Sequence, residues 1–282
     1  MAHRPDESFG ARLRTALDIR GPLCAGIDPH SALLASWGLG DDLAGLEKFA
    51  HTVVEALADR VAVLKPQSAF FERFGSRGVA VLERCVADAR SAGAVVIMDA
   101  KRGDIGSTVA AYADAYLDPS SDLFADALTA SPYLGFGSLE PLYQAAEKNN
   151  AGVFVLALTS NPEGPQVQHA TGTDGRTVAE TILAEAAARN AAATPMGPIG
   201  LVVGATIAAP AFDLAALNGA FLAPGLGAQG ATVADLKRVF GSATHNVVPS
   251  LSREILQAGP TAAGLRDAAA RAVDELRAAL AS

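Results

Sequence analysis

The sequence predicts an α/β fold, a closed (β/α)8 TIM barrel with an extra N-terminal helix. Three observations predict it. Short apolar runs of strand type recur along the chain, each followed by a polar loop and a helical stretch, at a spacing of roughly thirty residues that suits one βα unit. Eight such runs can be counted, the number that closes a barrel. The glycine-dense loop Pro224-Gly225-Leu226-Gly227-Ala228-Gln229-Gly230 follows the seventh run, and loops after strands seven and eight are where such barrels bind phosphate. The alternative is a doubly wound open sheet. That fold usually carries a Gly-rich loop after an early strand, and Gly26-Ile27-Asp28-Pro29-His30 is not one.

The elements follow in order. A helix is expected near Phe9–Asp18, before the first strand at Leu23–Ile27. Later strands are expected at Val61–Leu64, Val95–Met98, Leu123–Leu128, Val153–Leu158, Ile199–Val203, Gly219–Ala223 and Val247–Val248, the last two placed partly by the rhythm of the others. Helices are expected at Leu43–Asp59, Gly78–Ala92, Leu139–Asn149, Thr177–Ala191, Thr232–Phe240 and Ala263–Leu280. The last repeats Leu265, Ala269, Val273, Leu276 and Leu280 at helical spacing. Strands that are apolar throughout, with helices between them, imply a parallel sheet covered on its faces.

Composition bounds the function. The 282 residues are read as one barrel domain, 1–282, rather than two domains. A hydrophobic share of 50%, a charged share of 18% and a mean hydropathy of +0.24 exclude a disordered chain. No apolar stretch reaches the ~18 residues of a membrane span, and the charged segment Met1–Arg14 lacks the apolar core of a signal peptide, so a cytoplasmic protein is expected. A net charge of −8 argues against nucleic-acid polymers as partners, though a few placed cations can still hold one phosphate. Cys24 and Cys85 read as buried thiols. The 5 histidines are scattered without ligand spacing, and no metal site or cofactor motif is expected.

In a barrel the chemistry sits where strands end. Those positions hold Asp28, Lys65, the stretch Asp99-Ala100-Lys101-Arg102-Gly103-Asp104-Ile105, Ser160, the Gly-rich loop with Gln229, and Arg253. Residues i and i+2 of a strand point the same way, so Asp99 and Lys101 are expected to project together into the mouth beside Lys65 and Asp28. Alternating carboxylates and ammonium groups favour charged lysines, which suits protonation of a carbanion. The Gly-rich loop and Arg253 form a phosphate end. Pro162–Gly175, rich in Gly, Pro and polar residues, is a candidate moving lid along with the Gly-rich loop.

The motif Met98-Asp99-Ala100-Lys101-Arg102-Gly103-Asp104-Ile105, with Thr108 beyond it, resembles the orotidine 5′-monophosphate decarboxylase family, and most closely its longer bacterial subfamily with mycobacterial members. Ala25-Gly26-Ile27-Asp28-Pro29, Leu64-Lys65-Pro66-Gln67, Thr159-Ser160-Asn161-Pro162, the Gly-rich loop and Pro249-Ser250-Leu251-Ser252-Arg253 join it in family order. The resemblance implies that Lys101 protonates C6 of the pyrimidine as carbon dioxide leaves. It implies that Asp99 lies against the departing carboxylate, that Lys65 bridges the ribose and the charge array, and that Asp28 binds a ribose hydroxyl. Ser160 would read the pyrimidine edge, Gln229 would bridge base and phosphate, and Arg253, with Gly225 and Gly227, would hold the phosphate. Asp104, Ile105 and Thr108 would complete the site of the other subunit in a homodimer. No cofactor is implied. Ser250-Leu251-Ser252 stands before Arg253 where shorter relatives have a Gly-Arg pair. Two alternatives stay open at this point: a metal-dependent barrel lyase or aldolase acting on sugar phosphates, and a non-catalytic nucleotide-binding barrel.

Overall fold

The computed structural model describes residues 7–227 and 230–280. Eight parallel strands run in sequence order around a closed barrel, and β1 pairs with β8 to shut it. They are β1 Cys24–Ile27, β2 Val63–Pro66, β3 Val95–Arg102, β4 Ala127–Ala130, β5 Gly152–Leu158, β6 Ile199–Val203, β7 Phe221–Pro224 and β8 Val247–Leu251. Helix α1 (Phe9–Arg20) precedes them. The outer layer comprises α2 (Ser31–Ser36), α3 (Leu43–Leu57), α4 (Ala69–Glu72), α5 (Gly75–Ser91), α6 (Gly106–Leu117), α7 (Glu140–Lys148), α8 (Pro165–Gln168), α9 (Val178–Asn190), α10 (Val233–Phe240), α11 (Arg253–Leu256) and α12 (Ala262–Leu280). None of the described helices is long and apolar enough to cross a membrane.

Strand alternation divides the apolar residues into two cores. Along β3, Val96 and Met98 pack beneath the helices, while Val95 and Ile97 join an interior cluster with Cys24, Val63, Phe154, Val202, Leu222 and Val248. The N-terminal helix belongs to that interior cluster. Phe9, Leu13 and Leu17 plug the lower end of the barrel, and the Phe9 ring meets Phe154 edge-on at 6.1 Å. Arg20 completes the seal by donating to the carbonyls of Ala58, Val61 and Gly93 at 2.9, 3.2 and 2.9 Å. Cys24 and Cys85 are buried and free, and burial pushes each thiol up to about 12.

Most strand boundaries differ from expectation by a few residues, β3 running past Met98 to Arg102, and three of the differences have a clear local reason. The run Leu123–Ala125 is a buried turn, not the start of β4. The Ser121 hydroxyl holds Ala115 O and Leu123 N there, and Phe124 packs under the Arg90 guanidinium. Val61 still donates to Leu57 O as the tail of the preceding helix, so β2 begins at Val63 and reaches Pro66. β8 continues past Val248 to Leu251 because β7 pairs with it through Pro224↔Ser250. The expected helices appear within a few residues of their predicted ends. Thr177 and Thr232 sit just outside α9 and α10, where each forms a capping box.

Asp126 ties the lower shell together. It is 1% exposed, accepts from Arg12 Nη1 at 2.7 Å and from the Val96 amide at 2.9 Å, and lies 3.5 Å from Arg90 Nε. Removing one partner of a buried ion pair strands the other charge. Asp126→Ala is expected to lower stability by about 3–5 kcal/mol in denaturant unfolding, while a loss below about 1 kcal/mol would show that the cluster is not a structural tie.

Candidate active site

The strand faces that are apolar at the bottom of the barrel turn polar at the top. Beyond Val63 on the inward face of β2 stands Lys65, and beyond Ile97 on β3 stands Asp99. Asp28 follows β1, and Ser250 follows Val248 on β8. All four are buried. They open into a cleft of about 580 Å³ at the C-terminal mouth, which Lys101, Thr129, Ser160, Gly225 and Arg253 also line. That volume suits a nucleotide-sized ligand.

Asp99 is the hub. Its Oδ2 accepts from Lys65 Nζ at 2.9 Å, and its Oδ1 accepts from Lys101 Nζ at 2.7 Å and from the Thr129 hydroxyl at 2.9 Å. Burial opposes the Asp99 charge, but Lys65 and Lys101 outweigh it and hold the carboxyl well below the usual carboxylate range. Burial likewise opposes the Lys65 charge, and Asp99 and then Asp28 outweigh it, holding the ammonium above the ordinary lysine value. Lys101 reaches Asp99 differently from the expectation of a plain pleat. Its φ is +48°, in the left-handed region, at a register shift between Met98 and Arg102. The Thr129 hydroxyl also accepts from the Lys101 amide at 2.9 Å and so pins this bulge. A non-glycine residue held there is strained, and such strain concentrates at functional sites. The Lys101 side chain stays 46% exposed, unlike that of Lys65 at 7%.

The other polar groups stand around this hub. Asp28 Oδ1 is buried with no hydrogen-bond partner, an acceptor facing the cleft. The missing side chain at Gly26 lets Ser252 fold close, since a Cβ there would collide with the Ser252 hydroxyl. Arg253 is exposed and lines the same cleft from beyond β8.

The model of the Orotidine 5'-phosphate decarboxylase / HUMPS family matches residues 21–268. The chain belongs to this family. It is 64% identical over 275 residues to the orotidine 5'-phosphate decarboxylase of Streptomyces coelicolor, covering 97% of this chain and 99% of that one. Its identity to the Salinispora arenicola protein of the same name is also 64%, over 274 residues, with 97% and 99% covered. The crystal structure of a Streptomyces avermitilis relative matches with a TM-score of 0.94 at 63% identity, over 99% of this chain and 98% of the other.

Within this decarboxylase-family chain, Asp28, Lys65, Asp99, Lys101, Ser160, Gly225 and Arg253 share one cleft. Asp104, Ile105 and Thr108 lie outside its lining: the first is half-buried, and the others are exposed. Gly227 also lies outside it, with its amide donating to Ala231 O at 3.0 Å inside the loop. Gln229 lies outside the described residues. Arg102 turns away from the cleft toward Glu72 and the Tyr116 hydroxyl. Sequence reasoning missed Thr129, His30 and Gln168 in the lining. Thr129 was recoverable, because it lies one residue beyond the expected end of strand four and two beyond the inward-facing Ala127. His30 and Gln168 carried no spacing signal.

The charge hub has a pH signature. Because the folded state depresses the Asp99 pKa, its ionised form stabilises the fold above the ordinary carboxylate value and loses that contribution as pH falls through the folded one. Asp99→Asn leaves Lys65 buried without its main counter-charge and should cost about 3–5 kcal/mol at pH 7. In paired denaturant titrations, the gap between wild type and variant should shrink below about pH 4. A gap that is constant with pH would contradict the ionic origin.

Proposed function

We propose that this chain, read as one barrel domain, uses the Asp99 hub to decarboxylate orotidine 5′-monophosphate to uridine 5′-monophosphate and carbon dioxide, without a cofactor. That makes it a carboxy-lyase, placed in de novo pyrimidine biosynthesis, and relatives that match it over nearly their whole length are named orotidine 5'-phosphate decarboxylase. The observation that carries the reading is one carboxylate fixed between two ammonium groups at the end of an otherwise apolar interior.

The chemistry follows from the charges. The substrate carboxylate lies near Asp99, so two negative groups repel in the ground state, and the repulsion ends when neutral carbon dioxide leaves. The C6–carboxyl bond breaks and its electron pair stays on C6. Lys101 delivers a proton to C6, and water returns one to Lys101. Lys65 contacts the ribose and steadies Asp99. The Asp28 oxygen that lacks a partner accepts from a ribose hydroxyl. Ser160 reads the pyrimidine edge, Gln229 joins base to phosphate, and Arg253 takes the phosphate in a bidentate grip beside Gly225 and Gly227. The sugar-phosphate alternative fits less well. Both Asp99 oxygens already accept from ammonium and hydroxyl groups, and Lys65 stands where a metal would need room.

We further propose a homodimer in which Asp104, Ile105 and Thr108 complete the partner's site. Ile105 is 62% exposed, and Tyr133 and Leu134 are 77% and 55% exposed. The loops that carry them are tied by a 2.8 Å bond from the Ser131 amide to Arg102 O. Together they form an apolar surface beside the mouth, the kind of patch that marks an interface. The two free thiols favour the reducing cytoplasm as the compartment.

Two assays test these readings. In metal-free buffer the chain should consume orotidine 5′-monophosphate, followed by loss of orotate absorbance, with activity unchanged by EDTA. Lys101→Ala should lower kcat at least about 100-fold; full turnover by that variant would sink the mechanism. Mixing Lys101→Ala with Asp104→Ala chains should restore activity through hybrid dimers with one intact site. No recovery despite demonstrated subunit exchange would rule out a shared site.

A further inference from the structure

The excursion after β5, expected as a moving lid, is folded and tied at both ends. It contains α8, and its far end is fastened to α9 by a bond from the Val178 amide to Ala170 O at 2.9 Å. Its near end is fastened by Gln168, the last residue of α8, to the end of β5. Gln168 Oε1 accepts from the Thr159 amide at 2.9 Å, and Gln168 Nε2 donates to the Thr159 hydroxyl at 2.6 Å. The chain of bonds continues outward: the Thr159 hydroxyl donates to Asn161 Oδ1 at 2.6 Å, and Asn161 Nδ2 donates to Glu163 Oε2 at 3.0 Å. Both residues that flank Ser160 are therefore held.

These hydrogen bonds hold a strand end that borders open space on both sides. A second cavity of about 560 Å³ lies beside the cleft, bounded by Pro162, Pro165, Ile207 and Phe212, and the two cavities share Thr159, Ser160, Asn161 and Gln168 as their partition. A strand end between two cavities has room to shift on either side. Gly164 permits the clamp, since a Cβ there would crowd both the Thr159 hydroxyl and the Gln168 side-chain carbonyl.

We propose that Gln168 is a positioning residue for base recognition: its two-point hold on Thr159 keeps Ser160 aimed at the pyrimidine edge. This rests on the decarboxylase reading, which places the base at Ser160. The excursion then serves specificity at the base end of the nucleotide and leaves the ribose and phosphate contacts alone.

The test compares two ligands by calorimetry, uridine 5′-monophosphate and ribose 5-phosphate, which lacks the base. Gln168→Ala should weaken the nucleotide about tenfold, the worth of one misplaced hydrogen bond, and change ribose 5-phosphate by less than about twofold. Gln168→Glu, which keeps an acceptor for the Thr159 amide, should lose less than Gln168→Ala. Equal losses for both ligands would show a general loosening of the mouth and overturn the proposal, and so would an unchanged nucleotide affinity. A wild-type chain that binds the nucleotide no tighter than ribose 5-phosphate would instead overturn the decarboxylase reading, and the positioning role with it.

Discussion

The Asp99 carboxylate between Lys65 and Lys101 is the interaction on which the upper half of the molecule depends. Charges taken out of water are costly unless paired and hydrogen-bonded. The barrel meets that demand with Lys65 from the neighbouring β2, Lys101 from a bulge on the same strand, and the Thr129 hydroxyl from the neighbouring β4. Two of the partners have a second task. Thr129 also pins the backbone of Lys101, and Lys65 also feels Asp28. The array is fixed by its own hydrogen bonds, the kind of preorganised charge that can act on a ligand without rearranging.

That arrangement rests on a stiff, dry foundation. The interior cluster fills the barrel below the charges, and α1 closes it from beneath with Phe9, Leu13 and Leu17. The helix that looked like an appendage in the sequence is thus a structural stopper. With the lower end sealed, the polar ends of β1, β2, β3 and β8 can meet only at the upper mouth. The same inward face of each strand carries packing at one end and chemistry at the other.

Much of this was legible in the sequence. The repeat of apolar runs, the glycines after the seventh run and the Asp-x-Lys-x-x-Asp stretch pointed to a barrel with a charged mouth. The less legible parts were those set by contacts between distant segments. Leu123–Ala125 has the apolarity of a strand but folds as a turn, because Ser121 and Arg90 offer it better partners. Thr129 looks like an ordinary strand residue until its hydroxyl is found between Asp99 and Lys101. Pro162–Gly175 has the composition of a loose loop, yet Gln168 ties it to Thr159.

By itself the sequence determined the fold class and the residue types at each strand end, because side-chain period and hydrophobicity are local properties that the chain carries wherever it goes. Tertiary structure alone decided how those residues meet: the left-handed turn at Lys101, the capture of Asp99 by groups as far apart in sequence as Lys65 and Thr129, and the two cavities on either side of Ser160. The reason is physical. Charge pairing, backbone strain and packing depend on distances between segments that barrel closure alone brings together, and no local pattern encodes a distance of that kind.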